Sequence, residues 1–577
     1  MSDRRPREEF GADGDWRNIR AHDWGTSDMS TTPDHPALAP QDPDMMRHLD
    51  EQYGMRFVRY VLALPDSWNL GNSVTVTQAE WATTLYQLAV STEQLDKASR
   101  WVNLAALMNR YFAPRDVSFA AYIRGECGGS TEIPTYENDE VATTLVKFAS
   151  DSYAAFIMKQ PEDEWNTGSI VHHHTEQPSM ANFCKAVLKD QQLKFLFPSH
   201  IESNWEESDF TSLRQVTSLV YFESGQGGSF SLPLLAYNLL NSAYVRCIIY
   251  GDDSYDAYIK MVSQALADAR KMAAGRSAKI PVALGLSNLS LSEVDRIPLP
   301  NGFLRKVTEE DKYHLPPRLA VDALLILETP LRIAVKTRHP DTREDENPET
   351  WERVVERSRK WNSSLQWDID CHHLAFMLAN SANHRAAAIE ISRAIVNPLH
   401  ATPHLSWRDE RVQTAAAVME VGPESREALR KWVDNVTSRH PRTLRIAMRR
   451  ILSASTSRTD PSDSLVDAVL AWENMFSDSP ETTLRVCGAL SLLLQPNDRE
   501  SRKALNRELT GIYGTRSAIV HGNANEPAPE TVRSHGDRAL EVAVQAMRQL
   551  HENPHLLNYN NSSARGKDVL LGLVDIR

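Results

Sequence analysis

The chain has 577 residues, enough for about three to five domains at roughly 100–200 residues each. Apolar residues make up 41% and charged residues 24%, which supports large cores and excludes a wholly disordered, collagen-like or low-complexity chain. A net charge of −13 argues against a general nucleic-acid coat, so any RNA contact has to come from a local basic patch.

Residues 1–45 are polar and hold five prolines, and they read as a disordered arm. The first ten residues (MSDRRPREEF) have no apolar core and do not read as a secretory signal. Cys127, Cys184, Cys247, Cys371 and Cys487 lie far apart, with no CxxC pair. That spacing disfavours a disulfide framework or a zinc ribbon and fits a reducing cytoplasm. No apolar run reaches the roughly 18–20 residues of a membrane span. The nearest, 232–250, carries Pro233, Asn238, Asn241 and Arg246 and reads as a buried helix.

From Met46 the apolar residues recur at helical spacing, through 57–64, 81–90, 101–112, 141–158, 182–197, 232–250 and 255–272. We therefore expect a helical N-terminal region over 46–278. The segments 279–291, 302–307 and 324–337 are rich in Val, Ile and Leu between turn residues, which predicts a small β-containing unit over 279–340. A charged stretch with two prolines, 339–350, reads as a linker or exposed loop. Helical periodicity returns in 374–396, 411–419 and 425–436, so 351–440 reads as a helical connecting region. The expected fold class is mainly α and multidomain.

The segment 441–557 carries the most information, and 558–577 reads as a C-terminal tail. Pro441 opens a basic helix, RTLRIAMRRIL. Asp460 then caps a new helix, with Pro461 at its first position and Asp463 in the first turn. Leu465, Val469, Trp472 and Phe476 line one face of it. A second helix covers about 482–494, a third runs from near 497 into GIYGTRSAIVHGN, and a fourth covers about 529–550. Four helices with short connections predict a four-helix bundle.

The third helix holds Arg516-Ser517-Ala518-Ile519-Val520-His521-Gly522. Here the chain resembles the HEPN superfamily, in particular the Apea-like HEPN branch of bacterial defence proteins. The resemblance rests on an Arg, a polar residue and a downstream His, with Tyr513 before them, the apolar pair Ile519 and Val520, and Gly522 after. Asp467 and Glu473 in the upstream helix match as well, and so does Arg485 in the second. It covers roughly 115–120 residues, about a fifth of the chain. The bare Arg–His spacing recurs at Arg17–His22, Arg332–His339, Arg393–His400 and Arg548–His555, so the helical context separates the Arg516 instance.

The resemblance implies an endoribonuclease that works without a metal or other cofactor. The ribose 2′-OH would attack the adjacent phosphorus and leave a 2′,3′-cyclic phosphate. Histidine suits proton transfer near neutral pH, so His521 is the candidate acid–base. Arginine offers a planar fork for phosphate oxygens, so Arg516 is the candidate for the developing charge. Glu473, Ser517 and Tyr513 are the candidate supports. Residues five apart are offset by about 140° on a straight helix. Arg516 and His521 cannot fully share one face, and a composite site in a homodimer or higher oligomer, as the family uses, would relieve this.

Candidate RNA contacts are Arg499, Arg502, Lys503 and Arg507, together with Arg442, Arg445 and Arg449, flanked by Arg439 and Arg450. The bland alternative is that these are solvated faces pairing with the many acids. The resemblance further implies abortive-infection antiviral defence, with a phage-derived trigger sensed by the N-terminal region and no membrane partner. The alternative is a non-catalytic HEPN dimerisation and RNA- or nucleotide-binding scaffold, with Arg516 paired to Glu473 and His521 merely ending its helix.

Other signals are weaker. Adjacent side chains diverge in His172-His173-His174, so three in a row rarely make one metal site. Cys371-His372-His373 lacks a second ligand pair and reads as core. Gly225–Ser229 lacks the Lys-Ser/Thr of a phosphate-binding loop and follows no clear strand, so it reads as a loop. Gly251-Asp252-Asp253 has no supporting acidic motif, and neither HExxH nor GxSxG occurs.

Overall fold

The computed structural model describes residues 38–39, 42–161, 179–197, 209–308, 311, 321–337, 348–380, 383, 386–400, 404–407, 417–477, 482–522 and 527–576. Most of the expected 1–45 arm lies outside these residues, as do Arg17–His22, His172–His174 and most of the 339–350 linker. Within the arm, Leu38–Ala39 pairs antiparallel with Val74–Thr75, and a helix starts at Pro43.

The chain is mainly helical, with smaller sheets. In the N-terminal region the helix Leu234–Tyr250 is the central post. Every residue from Leu235 to Ile249 is buried, as its all-round apolar sequence predicts. Tyr255–Ala273 packs along it, and Glu140–Phe156 packs on both. Gly251 closes the central helix in a left-handed conformation (φ 73°). The Gly251-Asp252-Asp253 signal is thus a helix-to-helix turn: Asp252 accepts from Ser254, and Asp253 pairs with Arg56.

A six-stranded antiparallel sheet follows, in the order His404–Trp407, Ile389–Ile395, Ala278–Ser287, Ala323–Leu331, Gly302–Lys306, Arg296–Leu299. The expected 279–340 unit is therefore corrected in two ways. The sheet takes two strands from the region read as helical, 351–440. It also gives up Ile333–Thr337, which pairs with Thr217–Phe222 in a second sheet completed by Gly227–Ser231. The alanines of 386–388 favour a helical reading, but Ile389–Ile395 alternates between half-buried and buried, a strand period. Likewise 411–419 is not shown as a helix: 411–416 lie outside the described residues, and Met419–Val421 is a short strand.

The glycine-rich 225–229 segment does follow a strand and turns a hairpin. Gly225 has φ +88°, and a Cβ at Gly227 would sit 2.2 Å from the Tyr221 ring, so only glycine fits beneath it. The large sheet is buried on both faces. Ile280, Val282 and Leu284 join the main core, while Ala283, Leu324 and Ile326 pack with Val245 and Ile249 of the central helix. This explains the continuous apolar runs where a half-exposed sheet would alternate.

The long helix Pro348–Ala379 links the sheets to the C-terminal region. Near its middle Trp361 donates to the Pro330 carbonyl (2.7 Å); further along, Asp370 pairs with Arg449 (3.2 Å). The C-terminal region packs four consecutive helices, Pro461–Phe476, Thr482–Leu494, Arg499–His521 and Pro529–Glu552. Asp460 caps the first as expected, accepting from Ser462 N at 2.8 Å, and Leu465, Val469, Trp472 and Phe476 are fully buried. The Trp472 indole donates to the Ala539 carbonyl and ties first helix to fourth (3.0 Å). The basic helix, Arg445–Thr456 after a 3₁₀ turn, lies on the first.

Residues 558–577 are more than a tail. The helix Ser562–Leu570 docks on the first and second bundle helices, and Arg565 is buried beneath it. Among the described residues no helix is long and apolar enough to cross a membrane.

Candidate active site

The helix Arg499–His521 is capped by Asp498, whose carboxylate accepts from Glu500 N (3.0 Å) and Ser501 N (3.2 Å). Leu505, Leu509 and Ile512 bury one face at spacings of four and three. That anchoring turns Tyr513 and Arg516, one and four positions on, toward the last turn of Pro461–Phe476, where Glu473 sits.

Glu473, Tyr513 and Arg516 form one cluster. The Tyr513 hydroxyl donates to Glu473 Oε1 at 2.5 Å. Arg516 Nη2 lies 3.6 Å from the same oxygen, and its guanidinium carbon is 5.8 Å from the Tyr513 ring centre. Burial, and then the hydrogen bond to Glu473, push the Tyr513 hydroxyl up to about 12. Arg516 and Glu473 keep 16% and 20% of their side-chain surface, so the cluster is shielded but not sealed. Arg516 Nε is buried without a hydrogen-bond partner among the described residues.

His521 stands apart at the helix end and is exposed. Gly522 takes the left-handed conformation (φ 63°, ψ 53°), and its N–H bonds to the Ala518 carbonyl, as the sequence leads one to expect. No hydrogen bond or ion pair joins His521 to Arg516 among the described residues. Ser517 is half-buried, with no side-chain hydrogen bond among them. Arg485 stays half-buried on the second helix, outside the cluster.

The two basic groups differ. Arg499 and Arg507 are exposed, with no acid partner among the described residues. Lys503 pairs with Glu500 (2.8 Å), and Arg502 closes the preceding helix by bonding to the carbonyls of Gln495 and Pro496. The 442–450 group is engaged within the chain. Arg442 lies 4.2 Å over the Trp367 ring, Arg449 pairs with Asp370, and Arg450 pairs with Asp467. Arg445 Nε is buried. Asp467 also accepts from Ser453 (2.8 Å) and Arg458 (2.8 Å), so it is a structural hub.

Sequence reasoning missed three contacts, all between helices. Thr515 Oγ1 meets His535 Nδ1 at 2.8 Å, Arg538 pairs with Glu508 at 2.8 Å, and His440 Nδ1 meets His551 Nε2 at 3.1 Å. None has a spacing signature, because each partner comes from a different helix. Cys371 and His372 are core residues, His372 bonding to the Asp368 carbonyl at 2.7 Å. Among the described residues no group of three or more His, Cys, Asp or Glu is placed to hold a metal ion. In comparisons with known proteins, the chain matches no family model, no curated protein and no solved structure.

Proposed function

We propose that the C-terminal helices form a HEPN-type endoribonuclease regulated by the N-terminal region. The observation that carries the reading is Arg516, held by Glu473 and Tyr513 at a partly open surface, one and a half turns from an exposed His521. In this reaction the ribose 2′-oxygen forms a bond to phosphorus, and the bond from phosphorus to the 5′-oxygen breaks. His521 transfers the proton of the attacking or leaving oxygen, a role typically worth about 10²–10⁴-fold. Arg516 meets the negative charge that builds on the phosphoryl oxygens.

Their offset on the helix favours a homodimeric site in which each chain supplies one set. Arg499 and Arg507, free of acid partners among the described residues, are the better phosphate contacts. The setting would be cytoplasmic antiviral defence, with a phage-derived trigger.

A second reading has its own support. The ion pair between Arg516 and Glu473 is also what a non-catalytic dimerisation and RNA- or nucleotide-binding scaffold would hold. An RNA cleavage assay in EDTA separates the two, using wild type, Arg516→Ala and His521→Ala with end-group analysis. Cleavage by wild type alone, leaving cyclic phosphate ends, is expected. Equal cleavage by all three would remove the proposal.

A further inference from the structure

A cavity of about 220 Å³ opens in the N-terminal helical region, between Pro43–Tyr53, Lys97–Met108 and the end of Glu140–Phe156. Three cations line it, Lys97, Arg100 and Lys159, against one carboxylate, Glu51. That balance runs against a chain of net charge −13.

Among the described residues no acid pairs with these cations. Arg100 donates to the carbonyls of Glu93 (2.7 Å), Thr92 (3.3 Å) and Leu95 (3.3 Å) and to Gln52 Oε1 (2.9 Å). All four acceptors are neutral, so they fix the guanidinium without cancelling its charge. Lys97 and Lys159 are exposed and have no acid partner among the described residues. One further polar group in the lining is unmet among the described residues. Trp101 is 4% exposed and its buried indole N–H has no acceptor among the described residues. Buried polar groups are normally satisfied, so a buried indole donor beside three cations favours a ligand rich in acceptor oxygens.

We propose that this cavity binds a small phosphate monoester. Near neutral pH such a group carries close to two negative charges and three peripheral oxygens. The charge matches the excess of cations, and the oxygens suit the ammonium groups of Lys97 and Lys159. Leu104 and the Trp101 ring form the apolar part of the wall, against which a small organic moiety packs. This site is independent of the Arg516 cluster and does not rest on ribonuclease activity.

The test is titration calorimetry and thermal melting of the full chain with inorganic phosphate and glycerol 3-phosphate at constant ionic strength. Acetate and glycerol serve as the monoanionic and neutral controls. Saturable binding of both phosphates is expected, with a rise in melting temperature that neither control reproduces. Lys97→Met with Lys159→Met should weaken binding by about tenfold or more, the scale of losing charge-assisted hydrogen bonds. Both lysines are exposed, so the variant should fold as wild type, and Lys97→Gln alone gives a milder check. Absence of saturable phosphate binding in wild type, equal binding by acetate, or unchanged affinity in the double variant would each overturn the proposal.

Discussion

Glu473 and Arg516 face each other at 3.6 Å across two helices, and the carboxylate oxygen between them already holds the Tyr513 hydroxyl at 2.5 Å. One oxygen thus serves two donors, and the shorter bond keeps the carboxylate from closing fully on the guanidinium. Tyr513→Phe removes that restraint. In the proposed ribonuclease, Glu473 would then close on Arg516 and draw its charge away from the RNA. We expect RNA cleavage to fall about tenfold, the scale of one hydrogen bond to a charged group. Glu473→Gln keeps an acceptor for Tyr513 but loses the ion pair, so it should perturb cleavage differently from Tyr513→Phe. Wild-type rates in both variants would sink the positioning role.

The contrast between the two arginine groups is testable by salt. Arg499 and Arg507 are exposed without acid partners among the described residues, whereas Arg449 is committed to Asp370. Each phosphate contact on a single strand contributes about 0.7 to the slope of log affinity against log salt. Arg499→Gln with Arg507→Gln should therefore flatten the slope for RNA binding by about 1.4. Arg449→Gln should leave the slope alone and lower thermal stability instead. A flattened slope in Arg449→Gln would reverse the assignment.

The buried pair His440 and His551 predicts a pH dependence of folding. Their rings stack at 5.3 Å, and burial lowers them to about 3 and about 4, helped by Arg565 near His440 and Arg439 near His551. Both are neutral in the folded chain, while the unfolded chain protonates them near the usual value of about 6.5. Their neutral packing is therefore fully stabilising above that pH. It erodes as pH falls toward 4, by up to about 1.4 kcal/mol per pH unit for each histidine. His551→Gln should show a flatter fall in melting temperature between pH 6.5 and 5 than wild type. Parallel curves would show that other groups set the slope.

Much of the architecture follows from local pattern. The buried helix Leu234–Tyr250, the capped start at Asp460 and the left-handed stop at Gly522 all rest on residues close in sequence. The pairing of Glu473 with Arg516 joins two helices, and only the resemblance draws attention to both residues. What escaped is non-local. Ile389–Ile395 follows alanines that favour a helix, and only pairing with Ala278–Ser287 decides it as a strand. Arg449 and Arg450 look like a free basic stripe until Asp370 and Asp467, 79 and 17 residues away, take them. The cavity at Lys97 and Lys159 draws on three separate helical segments, and no spacing in the chain announces it.

The docking of the last helix gives the sharpest steric prediction. A Cβ at Gly566 would lie 1.9 Å from the Phe476 carbonyl oxygen and 2.9 Å from its carbon, so the obstacle is backbone and cannot rotate aside. Next to it, buried Arg565 donates to the carbonyls of Met475 and Leu556 at 2.7 and 2.8 Å, and burial lowers its guanidinium to about 10. Gly566→Ala should therefore lift the helix Ser562–Leu570 from the end of Pro461–Phe476 and expose Arg565's acceptors together. Overpacking of this kind costs about 1–3 kcal/mol. A thermal melt should show the loss, and hydrogen exchange should show earlier opening at 562–570 than in wild type. Because Phe476 ends the same helix that carries Glu473, the variant also reports on the site. If RNA cleavage falls with stability, the last helix braces the Glu473 turn; if the melt alone shifts, the brace and the chemistry are separate.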